Sequence, residues 1–223
     1  MKNKTGYSPQ NLTDRIKQKH FSDFLKEILN TVNLKQNKQE TTDPDDVFKY
    51  FDLFAGAGIY NRGTDNEFKG AAILALEMIS NSGRDFHAYL NEKNSALREE
   101  LRANVQPYGN KVDVFETYQD YIDEYISLAD EDSLFFIDPT HLADYEGEKG
   151  VLAYLTDILT TKAKLYLYAP ESVGIKQFAD HRKTIEQIIQ TVKASGREFA
   201  HFVSEKNNTR GYLKRADHNI MVY

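Results

Sequence analysis

The chain contains no cysteine and no tryptophan. Without cysteine there are no disulfides, thiolate zinc sites, iron–sulfur clusters or cysteine nucleophile. No apolar run approaches the roughly 20 residues that span a bilayer, and the N-terminal segment has lysines but no apolar core of a signal peptide. We therefore expect a cytoplasmic protein with no membrane partner, and we predict no metal site.

The composition is that of a globular chain, with 223 residues of which 40% are hydrophobic and 28% charged. A chain of this length fits one core with an appendage. The net charge of −6 argues against a wholly basic nucleic-acid coat. Residues 1–39 are nevertheless rich in lysine, which indicates either a solvated helix face or a basic contact surface.

Two regions differ in pattern. From Leu12 to about Leu34 the apolar residues recur at helical spacing, which predicts an amphipathic helix. The polar stretch 35–46 contains Pro44 and reads as a connector. We therefore divide the chain into an N-terminal helix and linker, 1–46, and a domain, 47–223.

From residue 47 onward, short apolar runs alternate with helical segments, which is typical of a parallel sheet with crossover helices. Two final runs have no room for a helix between them and must pair antiparallel through a loop, 205–217. The predicted fold class is α/β: a seven-stranded, mostly parallel, doubly wound sheet with a C-terminal antiparallel hairpin, plus an N-terminal helical segment. The predicted strands are 47–54, 86–93, 111–116, 133–138, 163–169, 197–204 and 218–223, and the helices 69–80, 95–105, 118–129, 151–159 and 176–195.

The stretch "FDLFAGAGIY" ends the first strand in a glycine turn. Such a turn is where nucleotide-like ligands bind in open α/β sheets, because glycine lets the backbone come close. The stretch has no G-x-x-x-x-G-K-[ST] pattern, and "IYNRGTDNEF" delays the next helix. A diphosphate ligand is therefore disfavoured, although a doubly wound fold with some other ligand remains an alternative.

Acidic residues follow the next two strands. Glu92 is placed to accept both ribose hydroxyls of an adenosyl group, unless it is an exposed strand-end residue. Glu116 and Thr117 are candidates to bind the adenine amino group, with Phe115 against the ring. The plainer alternative for Thr117 is a helix N-cap.

The motifs "FDLFAGAGIY", "LNEK", "FET" and "FFIDPTH" together resemble class I S-adenosylmethionine-dependent methyltransferases along residues 47–223. Within that class, the chain is most similar to the three-Cys-motif partner proteins. Lys19-His20, "DLFAGAGIY" and Asp138-Pro139 carry this likeness. Family members usually continue D-P-F-G, whereas this chain has Asp138-Pro139-Thr140-His141.

The resemblance implies S-adenosylmethionine as cofactor. Asp52 and the Gly56–Gly58 turn would lie beside its amino acid part, Glu92 would hold the ribose and Glu116 would face adenine. The full predicted cofactor set is Asp52, Phe54, Ala55, Gly56, Gly58, Tyr60, Glu92, Lys93, Glu116, Thr117 and Asp138.

The fourth strand ends where a methyl acceptor is expected. Enzymes that methylate amino groups of bases carry D/N-P-P-[YFW] there, so that a carboxylate or amide orients the amine. Only Asp138 and Pro139 match, with His141 as an imperfect stacking ring. We predict these three as catalytic residues. The alternatives are an N-cap for Asp138 and a loop position for His141.

Two loops differ in charge. The acidic loop 140–150 is long enough to be a lid. The loop 205–217 is basic, which suits a single strand or a flipped base, or else is a solvated loop. We predict its basic and aromatic side chains as substrate contacts: Lys206, Arg210, Tyr212, Lys214 and Arg215.

We therefore expect a methyltransferase acting on an amino nitrogen of a nucleic-acid base, with the loop 205–217 and the N-terminal helix as contact surfaces. Carbon-5 methylation of pyrimidines is excluded because it ordinarily needs a thiolate. Two alternatives remain open: a catalytically weak cofactor-binding partner of another protein, and a small-molecule methyltransferase.

Overall fold

A computed structural model of the chain describes residues 12–36, 47–65, 67–139, 142–173, 179–207 and 214–223. It confirms the predicted fold class: an N-terminal helix and a seven-stranded, mostly parallel sheet with antiparallel strands at the C-terminal end. The chain divides into two compact units, Met1–Tyr118 and Gln119–Tyr223. Of the helices in the described ranges, none has the length and apolar character that crossing a membrane requires.

The first unit contains three sheet strands in the order β5-β4-β1, all parallel. A two-stranded ribbon, β2 with β3, follows the first strand. The elements are α1 (Leu12–Gln36), β1 (Phe48–Asp52), β2 (Ile59–Tyr60), β3 (Phe68–Lys69), α2 (Ala71–Asn81), β4 (Phe86–Asn91), α3 (Ser95–Val105) and β5 (Val112–Phe115).

Burial explains why these segments adopt these elements. Every residue of β1 except Lys49 is fully buried, which matches a central parallel strand. Helix α1 packs on α2 with an apolar stripe that includes Phe21, Phe24 and Leu25. The predicted helix is thus confirmed. Of the predicted connector, residues 37–46 lie outside the described residues.

The segment between the glycine turn and α2 differs from the expectation. The sequence pattern indicates only a delay before the helix, whereas the structure forms an antiparallel pair in which Tyr60 lies opposite Phe68. Their rings stack with centroids 5.0 Å apart. A two-residue strand is too short to be recognised by periodicity, so the pattern alone does not show it.

The second unit contains four strands in the order β6-β7-β9-β8. Strand β6 is parallel to β7, and β9 is antiparallel to both of its neighbours. The elements are α4 (Ile122–Leu128), β6 (Ser133–Ile137), α5 (Val151–Thr160), β7 (Lys164–Val173), α6 (Ala179–Ala194), β8 (Phe199–Asn207) and β9 (Lys214–Val222).

The C-terminal hairpin corrects the predicted loop 205–217. Strand β8 continues to Asn207 and β9 begins at Lys214. Residues 205–207 and 214–217, which were expected in the loop, therefore belong to the two strands. The reason is that β7 is long enough for Val173 to pair with Lys214, which gives β9 ladder partners on both sides. The charged residues of the stretch concealed this pairing in the sequence.

Buried polar pairs join β7 to β9. The Tyr168 hydroxyl donates to Asp217 Oδ1 at 2.7 Å, and the Tyr166 hydroxyl donates to Asn219 Oδ1 at 2.7 Å. All four side chains are buried. Burial, with the nearby Asp138 carboxylate, raises the pKa of Tyr166 well above its ordinary value, so its hydroxyl remains a donor.

A histidine pair joins β8 to β9. His201 Nε2 and His218 Nδ1 lie 3.0 Å apart, so one ring must donate and the other accept. The pKa of His201 is lowered by burial, by His218 and by Lys193 of α6. The folded state therefore disfavours protonation of His201.

This pair predicts an acid-sensitive stability. A histidine whose folded pKa is depressed binds more protons when unfolded, so its contribution is full above about pH 6.5 and falls as the pH drops below that value. Urea midpoints measured from pH 8 to pH 5 should decline, and His201→Gln should flatten the decline. An equally steep decline in the variant would show that His201 does not cause it.

Candidate functional site

The predicted cofactor residues of the first unit lie at one edge of its three strands. Asp52 pairs in register with Leu90, and Asn91 pairs with Phe115. Because parallel strands end at the same edge, the glycine turn, Glu92 and Glu116 follow one another across β1, β4 and β5. This edge, from Asp52 through Glu92 to Glu116, is called the acidic edge below.

Asp52 anchors the turn that follows β1. Its carboxyl group is fully buried, and it accepts hydrogen bonds from the Phe54 N–H at 3.0 Å and the Tyr50 hydroxyl at 3.1 Å. The side chain therefore satisfies the turn's own backbone, as a buried carboxyl group must. It is a positioning group for the turn.

The glycine turn needs both of its glycines, for different reasons. Gly56 and Gly58 have φ angles of 63° and 78°, in the left-handed region. A Cβ at Gly58 would lie 3.0 Å from side chains of Ile73 and Leu101, so this glycine lets α2 and α3 come close. A Cβ at Gly56 would overlap the hydroxyl of Tyr60, which lies directly over the turn.

Two asparagines that the sequence analysis missed also hold the turn. Asn91 Nδ2 donates to the Asp52 carbonyl at 2.9 Å, and the Asn91 backbone carbonyl accepts from the Ala55 N–H at 2.8 Å. Asn104 of α3 donates to the Ala57 carbonyl at 2.8 Å. Asn91 is signalled by being an amide in a buried strand, where asparagine is depleted, whereas nothing in the sequence distinguishes Asn104.

Glu92 lies where the structure turns from β4 into α3. Its Oε1 accepts from the Asn94 N–H at 2.6 Å, and Asn94 in turn caps α3 through the N–H groups of Ala96 and Leu97. In the described part of the chain, Glu92 Oε2 has no hydrogen-bond partner. One carboxylate oxygen of the half-buried side chain thus accepts from the backbone, and the other can accept from a ligand.

Glu116 lies at the outer end of the acidic edge. Its side chain is 70% exposed, and Oε2 lies 3.4 Å from a guanidinium nitrogen of Arg98. Phe115 and Thr117 beside it are half-buried. Arg98 also escaped the sequence analysis, because nothing in its surroundings distinguishes it from the other arginine of the helix.

The remaining predicted residues of this unit differ in exposure. Phe54 is half-buried and packs edge-on against Tyr118, with ring centroids 5.4 Å apart. Ala55 is buried in the turn, and Lys93 is exposed. Aromatic rings thus lie beside the turn, while the acidic groups follow the other two strands.

In the second unit, Asp138 and Pro139 follow β6, half-buried and buried respectively. His141 lies outside the described residues. The predicted lid is not a free loop over its described length. The Tyr145 hydroxyl is buried and donates to the Tyr168 carbonyl at 2.8 Å, and Glu146 accepts a hydrogen bond from Thr184 of α6.

Of the predicted substrate contacts, Lys206, Lys214 and Arg215 are strand positions rather than loop positions. Lys206 pairs in register with Arg215. Arg210 and Tyr212 lie outside the described residues. The register therefore brings three basic positions to the open end of the hairpin.

The acidic edge offers two carboxylate oxygens without a hydrogen-bond partner in the described ranges. One is Glu92 Oε2, and the other is Glu116 Oε1, one strand further along. Within the described ranges, no group of three histidine, aspartate or glutamate side chains could hold a metal ion.

No family model and no curated protein matches this chain. Among solved structures, it is similar to protein LPL1258 from Legionella pneumophila str. Philadelphia 1, with 15% identity, 90% of this chain and 84% of that chain covered, and a TM-score of 0.57. This likeness shows a shared fold.

Two weaker likenesses are to a human methyltransferase 10 domain containing protein and to SMU.1697c from Streptococcus mutans, whose crystal structure is a complex with SAH. The first has 11% identity, 95% of this chain and 84% of that chain covered, and a TM-score of 0.45. The second has 11% identity, 78% of this chain and 92% of that chain covered, and a TM-score of 0.43.

The turn geometry predicts that Gly56→Ala is more damaging than Gly63→Ala. Both glycines have positive φ, so both variants carry the roughly 1–2 kcal/mol strain of a left-handed alanine. A Cβ at Gly63 meets nothing within 4 Å, whereas one at Gly56 meets Tyr60. Urea unfolding should show the larger loss for Gly56→Ala, partly restored by adding Tyr60→Phe. Equal losses would contradict the close contact.

Proposed function

We propose that this protein is an S-adenosylmethionine-dependent methyltransferase whose cofactor lies along the acidic edge of the first unit. The observation that carries the proposal is the order of groups on adjacent strands: a glycine turn after β1, an available carboxylate oxygen after β4 and an acidic side chain after β5. The same order is expected for the amino acid, ribose and adenine parts of the cofactor.

The residues present fit this group. The turn at Gly56 and Gly58 would lie beside the amino acid part, with the hydroxyl of Tyr60 over Gly56. Glu92 Oε2 would accept from the ribose hydroxyls. Glu116 would accept from the adenine amino group, with Phe115 beside the ring.

When bound, this cofactor supplies a methyl group on a sulfonium, which transfers by in-line displacement. The protein's own task is then to orient an acceptor and exclude water. We propose an amino nitrogen of a nucleic-acid base as the acceptor, with Asp138 orienting the amine. The absence of cysteine supports nitrogen over carbon-5 of a pyrimidine, and the basic register pair Lys206–Arg215 supports a nucleic acid.

A second candidate is a cofactor-binding partner subunit of low activity. The departure Asp138-Pro139-Thr140-His141, which lacks the aromatic residue expected after the proline, favours it. A place among the three-Cys-motif partner proteins is consistent with this candidate. A small-molecule methyltransferase is the third reading, and the outcome of a transfer assay separates all three.

Calorimetry with S-adenosylhomocysteine tests the cofactor proposal. The wild type should bind, and Glu92→Ala should lose roughly 10-fold or more in affinity, as expected for hydrogen bonds to a charged group. Glu99→Ala, an exposed glutamate on the following helix, is the matched control and should bind as the wild type does. No binding by the wild type would overturn the proposal.

Transfer of tritiated methyl groups to RNA, DNA and small-molecule pools tests the acceptor. We expect label in nucleic acid, abolished by Asp138→Ala and unchanged in Asp157→Ala, an exposed aspartate of α5. Transfer that survives Asp138→Ala would contradict the role of Asp138. Tight cofactor binding without transfer to any pool would favour the partner subunit.

A further inference from the structure

We propose that Arg98 is a positioning residue that makes the acidic edge selective for a 6-amino purine. The inference rests on the proposed function, because it concerns how the same edge distinguishes its nucleoside. Arg98 contacts Glu116 and the backbone that follows β4, and in this proposal it does not contact the ligand. Its effect is to orient Glu116, which determines which purine the edge prefers.

The guanidinium of Arg98 is fixed by backbone. Its side chain is 12% exposed, and Nη1 donates to two consecutive carbonyls, those of Glu92 at 2.9 Å and Lys93 at 3.2 Å. These backbone carbonyls are less mobile than a side chain, because Glu92 directly follows β4 and its N–H donates to the Phe115 carbonyl at 3.1 Å. Arg98 is therefore a stationary positive charge at the end of β4.

Glu116 is the group that this charge orients. Its side chain is 70% exposed and reaches the Arg98 Nη2 atom at 3.4 Å through Oε2. Oε1 has no hydrogen-bond partner within the described ranges. Without Arg98 the carboxylate would have no ion-pair partner in the described ranges, whereas the guanidinium draws it toward the end of β5, and more strongly once a bound ligand excludes water from the pair.

A carboxylate that stays in place discriminates between ligands that have a hydrogen-bond donor at the matching position and ligands that have none. The 6-amino group of adenine donates hydrogen bonds, whereas a purine with hydrogen at that position offers none. A polar group that is desolvated by a ligand but finds no partner costs affinity, so a site built to accept from an amino group rejects the analogue that lacks it. That rejection requires the carboxylate to stay in place when the ligand binds.

Arg102 provides a matched control on the same helix. It is one turn further along α3, its side chain is 48% exposed, and it pairs with Glu99 at 2.6 Å and donates to the Val114 carbonyl at 3.3 Å. It thus has the same chemistry as Arg98 but does not contact Glu92, Lys93 or Glu116. A general effect of removing a guanidinium from α3 would appear in both variants.

The experiment is calorimetry with two ligands, S-adenosylhomocysteine and its 6-deamino analogue, in which hydrogen replaces the amino group. The wild type should prefer the amino ligand by roughly tenfold. Arg98→Met should reduce the preference to within about twofold, as should Glu116→Gln, and the double variant should be no worse than either single one. Arg98→Lys, which keeps the charge, should retain part of the preference, and Arg102→Met should retain it fully.

Two results would overturn the inference. One is an Arg98→Met variant that keeps the wild-type preference. The other is equal weakening of both ligands in Arg98→Met and Arg98→Lys, which would make Arg98 a purely structural residue. If Arg98→Met does not fold, Arg98→Lys decides between the same results. A wild type that binds neither ligand would instead overturn the proposed function itself.

Discussion

The first unit depends on how the Asp52 carboxyl group is satisfied. A fully buried carboxyl group is costly unless it is hydrogen-bonded, and here the donors are the turn's own backbone and the Tyr50 hydroxyl. These hydrogen bonds end the strand at Asp52 and turn the chain directly after it. The acidic edge requires that abrupt end, because it brings the Ala55 N–H to the Asn91 carbonyl at the end of β4.

Helix α3 fixes the geometry of the acidic edge. Its N-cap Asn94 donates its backbone N–H to Glu92, Arg98 holds the carbonyls after β4, and Asn104 holds the carbonyl of Ala57. One helix thus contacts the glycine turn and both acidic strand ends. The geometry of the edge is in this way set by a rigid element rather than by a loop, which suits a site that must hold a ligand in one orientation.

The sequence predicts well those features that follow from a repeating pattern or from the point where the pattern ends. The alternation of buried runs with helical segments predicted the fold class, and strand ends located Glu92 and Glu116. The sequence does not predict the role of a residue when that role depends on a partner far away in the chain. Asn104 and Arg98 are recognisable only by the carbonyls they contact, Lys214 only by its pairing with Val173, and Tyr60 only by its place over Gly56.

A crystal structure of the protein with S-adenosylhomocysteine tests the proposed cofactor site most directly. We expect the ligand to lie along the ends of β1, β4 and β5, with a ribose hydroxyl on Glu92 and the adenine amino group on Glu116. Ligand bound with its adenosine away from these two carboxylates would contradict it.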